Sequence, residues 1–197
     1  MSDATPEPAA DQNDPRGSRG VVLIGYRGSG KSSAGAMLAE KLDRPFLDTD
    51  AAVAERFGGR NAAAVFAAPG LGEKAFREVE ARVVAEAVAA AEAGAVVATG
   101  GGAVTESSAA RAAVRNGRVL RVYLHAEAEV LAERIAADTK NRRPGLTSDT
   151  ADPSAEAAEV LKVRDPLYRQ VADVVIESGG KTLDEVVEEL TGLVGGA

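Results

Sequence analysis

The sequence predicts a doubly wound α/β sandwich, a parallel sheet covered by helices on both faces. Three observations carry this. Short apolar runs at Val21–Ile24, Pro45–Leu47, Ala95–Ala98, Val119–Leu124 and Val174–Ile176 are continuous rather than alternating, as strands buried on both faces are. Amphipathic stretches near 32–42, 49–67, 73–92, 106–115, 126–137, 155–171 and 181–193 fall between and after them, as parallel crossovers require. The first run passes through a glycine-rich turn straight into a helical stretch, the opening of a βα unit.

The 197 residues suit one domain, expected over 19–197. Residues 1–18, rich in Pro, Asp, Ala, Ser and Gly without periodicity, read as a disordered tail. A hydrophobic share of 45% allows a real core, and an aromatic share of 4% makes it one of Val, Leu, Ile and Ala. With no cysteine, neither a disulfide nor a thiolate metal site can form. No apolar run approaches the length of a membrane span, and the N-terminus lacks the basic-then-apolar order of a secretory signal. A cytoplasmic protein without a membrane partner is expected. A net charge of −7 argues against nucleic acid as a partner, since that needs a basic face.

The first strand leads into Gly25-Tyr26-Arg27-Gly28-Ser29-Gly30-Lys31-Ser32, which fits the pattern G-x-x-x-x-G-K-[ST]. Glycines let the backbone curl so that successive N–H groups point into one concave nest, and the following helix adds the positive end of its dipole. Lys31 supplies a point charge for outer phosphates and the Ser32 hydroxyl suits Mg²⁺. The chain is therefore expected to bind a nucleoside triphosphate, with Gly28, Ser29, Gly30, Lys31, Ser32 and Ser33 around it.

The second strand ends Leu47-Asp48-Thr49-Asp50. Ligands of open parallel sheets sit beyond the carboxyl ends of the strands, so Asp48 and Asp50 fall near the phosphate loop if the two strands lie close. One acid can then serve the Mg²⁺ shell and the other face an acceptor hydroxyl. A helix N-cap from Thr49 or Asp50 is the plainer alternative. The third strand runs into Thr99-Gly100-Gly101-Gly102, and glycines there mean a close approach of the backbone to something. It ends in no acid, so metal handling must lean on Ser32 and Asp48.

Four arginines stand out. Arg77 heads a row with Ala81, Val84 and Val88, where a solvated arginine is the plainer reading. Arg134, on the stretch 126–137, can reach an adenine or simply face water. Arg143 lies in the polar segment 138–153, which is longer than an ordinary connection and reads as a lid over phosphates. Arg164 shares a helical face with Val160, Leu161, Tyr168 and Val171, so it is either bonded to a carboxylate or aimed at an anionic ligand. Pro166 in the same pattern is expected to kink the helix. His125, the only histidine, ends the fourth strand and is given no role.

Together these segments resemble the shikimate kinase family. The matching pieces are the phosphate loop, Leu47-Asp48-Thr49-Asp50, Phe76-Arg77-Glu78-Val79-Glu80, Thr99-Gly100-Gly101-Gly102-Ala103-Val104, Arg143-Pro144 and Arg164-Asp165-Pro166-Leu167-Tyr168. They occur in the family's order over roughly 20–193. The resemblance implies a three-layer P-loop kinase with a five-stranded parallel sheet in the order 2-3-1-4-5. It also implies ATP-dependent phosphorylation of the 3-hydroxyl of shikimate. By the same resemblance Asp50 holds the acceptor hydroxyl and can take its proton, with Lys31 and Arg143 as catalytic cations. Arg77 and Arg164 grip the shikimate carboxylate, and Gly101 bonds the substrate through its backbone. Ser32 holds Mg²⁺ with Asp48 in its shell. Arg143 closes over the phosphates, and the adenine lies near Arg134 and the loop before the last helix, where Lys181 stands in place of the family's frequent arginine. A substrate-binding subregion near 49–80 and a monomeric state complete the expectation. The stretch 67–73 and the lid segment are longer than is common in the family, and Ser33 replaces a frequent threonine. A gluconate-kinase-like enzyme would share the phosphate loop without the paired arginines. A regulatory nucleotide-binding protein would not need Asp50.

Overall fold

The computed structural model describes residues 20–138 and 153–195. The expected tail and nearly all of the expected lid, Arg143 included, lie outside the described residues. Five strands form one parallel sheet in the order β2-β3-β1-β4-β5: β1 (Val21–Ile24), β2 (Phe46–Asp48), β3 (Val96–Ala98), β4 (Leu120–His125) and β5 (Val174–Glu177). The central strand pairs with β3 from Val21↔Val96 and with β4 from Val21↔Leu120.

The unbroken apolar character of β1 has a direct cause. Val21 and Leu23 face a core shared with Leu38 of helix α1 (Lys31–Lys41) and Val186 and Leu190 of the C-terminal helix (Leu183–Gly195). Val22 and Ile24 face a second core, with Val84, Val114, Leu161 and Tyr168. All four strand residues are completely buried. Each contributes about 1.5–3 kcal/mol of apolar transfer on folding, which an alternating strand would halve. The edge strand β2 is different: Leu47 is exposed, because only one neighbour and one face cover it.

The stretch 49–67 is not one helix. It forms α2 (Thr49–Arg56) and α3 (Ala62–Phe66), broken where Gly58 and Gly59 take φ of 65° and 83°. These two pack on α4 (Gly72–Glu92) around a separate small core of Val53, Val65, Phe76 and Val83. Phe66 meets Phe76 edge to face at 5.2 Å between ring centres, so this corner has its own hydrophobic anchor. The stretch 106–115 is α6 (Ser108–Asn116), preceded by a short α5 (Ala103–Glu106); the two part where Ser107 turns extended and its hydroxyl accepts the Ala110 N–H at 3.1 Å. Beyond β4 come α7 (Ala128–Ala137) and α8 (Pro153–Val171), with α9 (Leu183–Gly195) closing the chain. The expected kink at Pro166 does not interrupt α8, which runs through it to Val171. The carbonyl that loses its helical partner belongs to Lys162, an exposed residue where water can replace the bond.

Candidate active site

The phosphate loop sits at the carboxyl end of the central strand. Gly25, Gly28 and Gly30 hold φ of 141°, 80° and 91°, a region that residues with a Cβ rarely adopt. Lys31 is buried and folds back over its own loop, its Nζ 2.7 Å from the Tyr26 carbonyl and 3.3 Å from Ser29 Oγ.

Two strand tips away, Asp48 does two jobs. Its Oδ1 accepts the N–H groups of Asp50 at 2.9 Å and Ala51 at 3.2 Å, capping α2. Its Oδ2 accepts the Ser32 hydroxyl at 2.5 Å. The cap is therefore Asp48 rather than Thr49 or Asp50, since only the residue before the first helical turn can reach back to those donors. Thr49 is buried and accepts the Gly100 N–H at 2.9 Å, tying β2 to the glycine turn. This leaves Asp50 facing the cleft. The close approach expected at the triple glycine is real: a Cβ on Gly100 would lie 2.4 Å from Asp50 Oδ1. Lys31, Ser32, Asp48, Asp50, Gly101 and Arg134 all line one cleft of about 700 Å³.

Arg77 and Arg164 lie outside that lining and converge on the next turn of backbone. The Arg77 Nη1 is 3.3 Å from where a Cβ on Gly102 would sit, as is Glu106 Cγ. Neither arginine is solvated. Arg77 is held by Glu80 at 2.8 Å and Glu73 at 3.2 Å, and its guanidinium lies 5.5 Å above the Phe76 ring. Burial works against its charge, but the bonds and charges of Glu80 and Glu73 outweigh burial, and its pKa is raised. Burial pushes the Glu80 carboxyl upward, Arg77 opposes it, and the neighbouring charges of Asp50 and Glu106 reinforce the push, so the net direction is up. Arg164 is bonded to Glu106 at 2.9 Å and lies 5.9 Å over the Tyr26 ring. Tyr168 donates its hydroxyl to the Gly101 carbonyl, which fixes the glycine turn from behind.

A smaller pocket of about 250 Å³ lies beside the phosphate loop, lined by Ser33, Arg134, Ser178, Lys181 and Leu183 among others. Arg134 is anchored rather than loose: Nη2 donates to the Ser178 carbonyl at 2.7 Å and Nη1 to its hydroxyl at 3.4 Å. The Ser178 hydroxyl is within reach of the Ser29 carbonyl at 3.2 Å and the His125 carbonyl at 2.9 Å, so one buried serine links Arg134, the phosphate loop and the β4 tip. Lys181 pairs with Glu189 at 2.6 Å. His125 pairs with Glu177 and stacks its edge on Tyr123, a structural setting.

The structure adds Glu80, Glu106, Tyr168 and Ser178 to the residues that the sequence points to. The spacing of Glu80 three residues after Arg77 was an available signal for an ion pair. Nothing local marks Glu106, 58 residues from its partner, or Ser178, 149 residues from Ser29.

A phosphate loop at the centre of a 2-3-1-4-5 parallel sheet, with a carboxylate facing it from the tip of β2, defines a P-loop kinase of the small-metabolite type. Residues 27–194 match the family model described as shikimate kinase. A shikimate kinase of Symbiobacterium thermophilum is 43% identical over 170 residues, covering 86% of this chain and 92% of that one. One from Pseudomonas syringae pv. tomato is 43% identical over 172 residues, covering 87% and 94%. Among solved structures, shikimate kinase from Acinetobacter baumannii in complex with shikimate superposes with a TM-score of 0.78 at 31% identity, covering 90% of this chain and 93% of that one. The chain belongs to the shikimate kinase family. Membership removes the gluconate-kinase and regulatory alternatives. Among the described residues, no helix is long and apolar enough to cross a membrane.

Proposed function

We propose that the chain transfers the γ-phosphoryl group of ATP to the 3-hydroxyl of shikimate, giving shikimate 3-phosphate and ADP, a step toward chorismate and the aromatic amino acids. One observation carries this reading: the Asp50 carboxylate and the phosphate loop share a single cleft, beside a glycine turn flanked by two arginines. That set complements a small ring acid with one carboxylate and several hydroxyls. The shikimate complex of the A. baumannii relative supports the choice of acceptor.

In this reading the amides of Gly28, Ser29 and Gly30 cradle the phosphates, and Lys31 leaves the Tyr26 carbonyl to meet them. Ser32 and Asp48 present hard oxygen donors that fit Mg²⁺, which when bound neutralises charge on the outer phosphates. Arg77, Arg164 and the Gly101 backbone orient shikimate. Asp50 accepts the hydrogen bond of the 3-hydroxyl, then its proton, as the oxygen bonds to the γ-phosphorus and the bridging oxygen leaves with ADP. Arg143 stabilises the transferring group, and Arg134 and Lys181 border the adenine. The same reading takes the enzyme to be a cytoplasmic monomer.

The test is ADP release measured with shikimate, gluconate, nucleoside monophosphates or no acceptor. Release that depends on shikimate is expected. Release independent of acceptor, or specific to another one, would overturn the proposal.

A further inference from the structure

Arg164 does not wait for a ligand as a bare cation. Its Nε donates to Oε1 of Glu106 at 3.0 Å, and its Nη2 forms an ion pair with the same oxygen at 2.9 Å. This is the side-on edge of the guanidinium, one of the two edges with which arginine grips a carboxylate. The ring of Tyr26 supports the guanidinium at 5.9 Å from its centre. The arginine side chain is 12% exposed, while that of Glu106 is 38% exposed. Glu106 is the last residue of α5, directly after the glycine turn, and the next residue is already extended. Its own end of the pair is open to water, so it can swing out once another carboxylate takes its place on the mostly buried Arg164.

The contrast with Arg77 is instructive. Its partner Glu80 is 4% exposed and sits three residues away on the same helix, so it cannot leave. Glu80 is a fixed partner; Glu106 is one that can be displaced.

We propose that Glu106 is an internal stand-in for the substrate carboxylate: it neutralises Arg164 and holds its guanidinium in the gripping position while the site is empty, then gives way as the acid binds. This rests on the reading that Arg164 holds the carboxylate of shikimate. Two consequences follow. The affinity for shikimate is lowered by the fraction of time that Glu106 occupies the fork. Selectivity for the acid over an uncharged analogue is softened, because Arg164 can keep Glu106 when an ester binds.

The experiment uses the full chain and the Glu106→Gln variant. Binding of shikimate and of shikimate methyl ester is titrated by calorimetry, with steady-state kinetics alongside. Relative to wild type, the variant should bind shikimate about three- to tenfold more tightly, with KM for shikimate falling in step. KM for ATP and kcat should hold, and the ester should bind no better, so the acid-to-ester ratio rises. A purely structural role for Glu106 would not move that ratio. Shikimate affinity that is unchanged or weaker in the variant would overturn the proposal, since a residue that only props Arg164 in place predicts a loss. The gain should vanish in an Arg164→Leu background; a gain that persists there also overturns it. If Glu106→Gln fails to fold, Glu106→Ser is read against the same criteria. Wild-type enzyme that binds no shikimate at all would instead sink the functional reading, and this inference with it.

Discussion

Replacing Gly100 with alanine should disable the acid without unfolding the protein. The added Cβ would lie 2.4 Å from Asp50 Oδ1, where an ordinary van der Waals contact begins at 3.4 Å. The carboxylate must therefore retreat by about 1 Å, and a misplacement of that size costs about a hundredfold in rate. The atom it meets is the far end of a side chain, with Asp50 Cγ at 3.2 Å and Oδ2 at 3.7 Å as the next neighbours, so the backbone need not move. The bond from the Gly100 N–H to Thr49 survives the change. The assay is shikimate-dependent ADP release together with thermal melting and ATP binding. Turnover about a hundredfold lower is expected, with ATP affinity within about twofold and melting shifted by only a few degrees. A folded Gly100→Ala enzyme with near-normal turnover would refute the claim that the Asp50 carboxylate is positioned against this turn for the reaction.

Other substitutions probe the remaining parts. Asp50→Asn should lower turnover by about 10²- to 10⁴-fold while ATP binding is kept, measured by the same pair of assays. Ser178→Ala removes the hydroxyl that joins Arg134 to the phosphate loop, so KM for ATP should rise about three- to tenfold with kcat retained, and Ser178→Thr should restore it. Glu80→Gln should alter the pH profile of stability. The native state raises the Glu80 pKa, so folded chains hold that proton more tightly than unfolded ones. Ionising it costs stability as pH climbs from the ordinary glutamate value through the raised one. Over that window the melting temperature of the variant should fall less, or rise more, than that of wild type; identical profiles would contradict the sign.

Much of the architecture could be read from pattern. β1 is buried on both faces, and its unbroken Val-Val-Leu-Ile run says so directly. The phosphate loop carries its own geometry in its three glycines, all of which take positive φ. The glycine turn after β3 was expected to meet something closely, and the partner is Asp50. The reading of 49–67 as one helix passed over a Gly58-Gly59 pair, whose backbone freedom breaks it. The sequence places Asp48 beside Mg²⁺ and offers Thr49 or Asp50 as the cap, yet Asp48 caps α2 with one oxygen and meets Ser32 with the other. The partners of Arg164 and Arg134 depend on tertiary folding that brings distant segments together. No periodicity or spacing along the chain encodes the contact of Arg164 with Glu106, or of Arg134 with Ser178 across the β5 tip.

The most direct measurement is a crystal structure of the enzyme with ADP and shikimate bound. The 3-hydroxyl should lie within hydrogen-bond reach of Asp50, about 2.6–3.2 Å, with the carboxylate on Arg77 and Arg164 and the ADP phosphates in the loop after β1. A shikimate ring bound away from Asp50, or with its carboxylate on other residues, would contradict it.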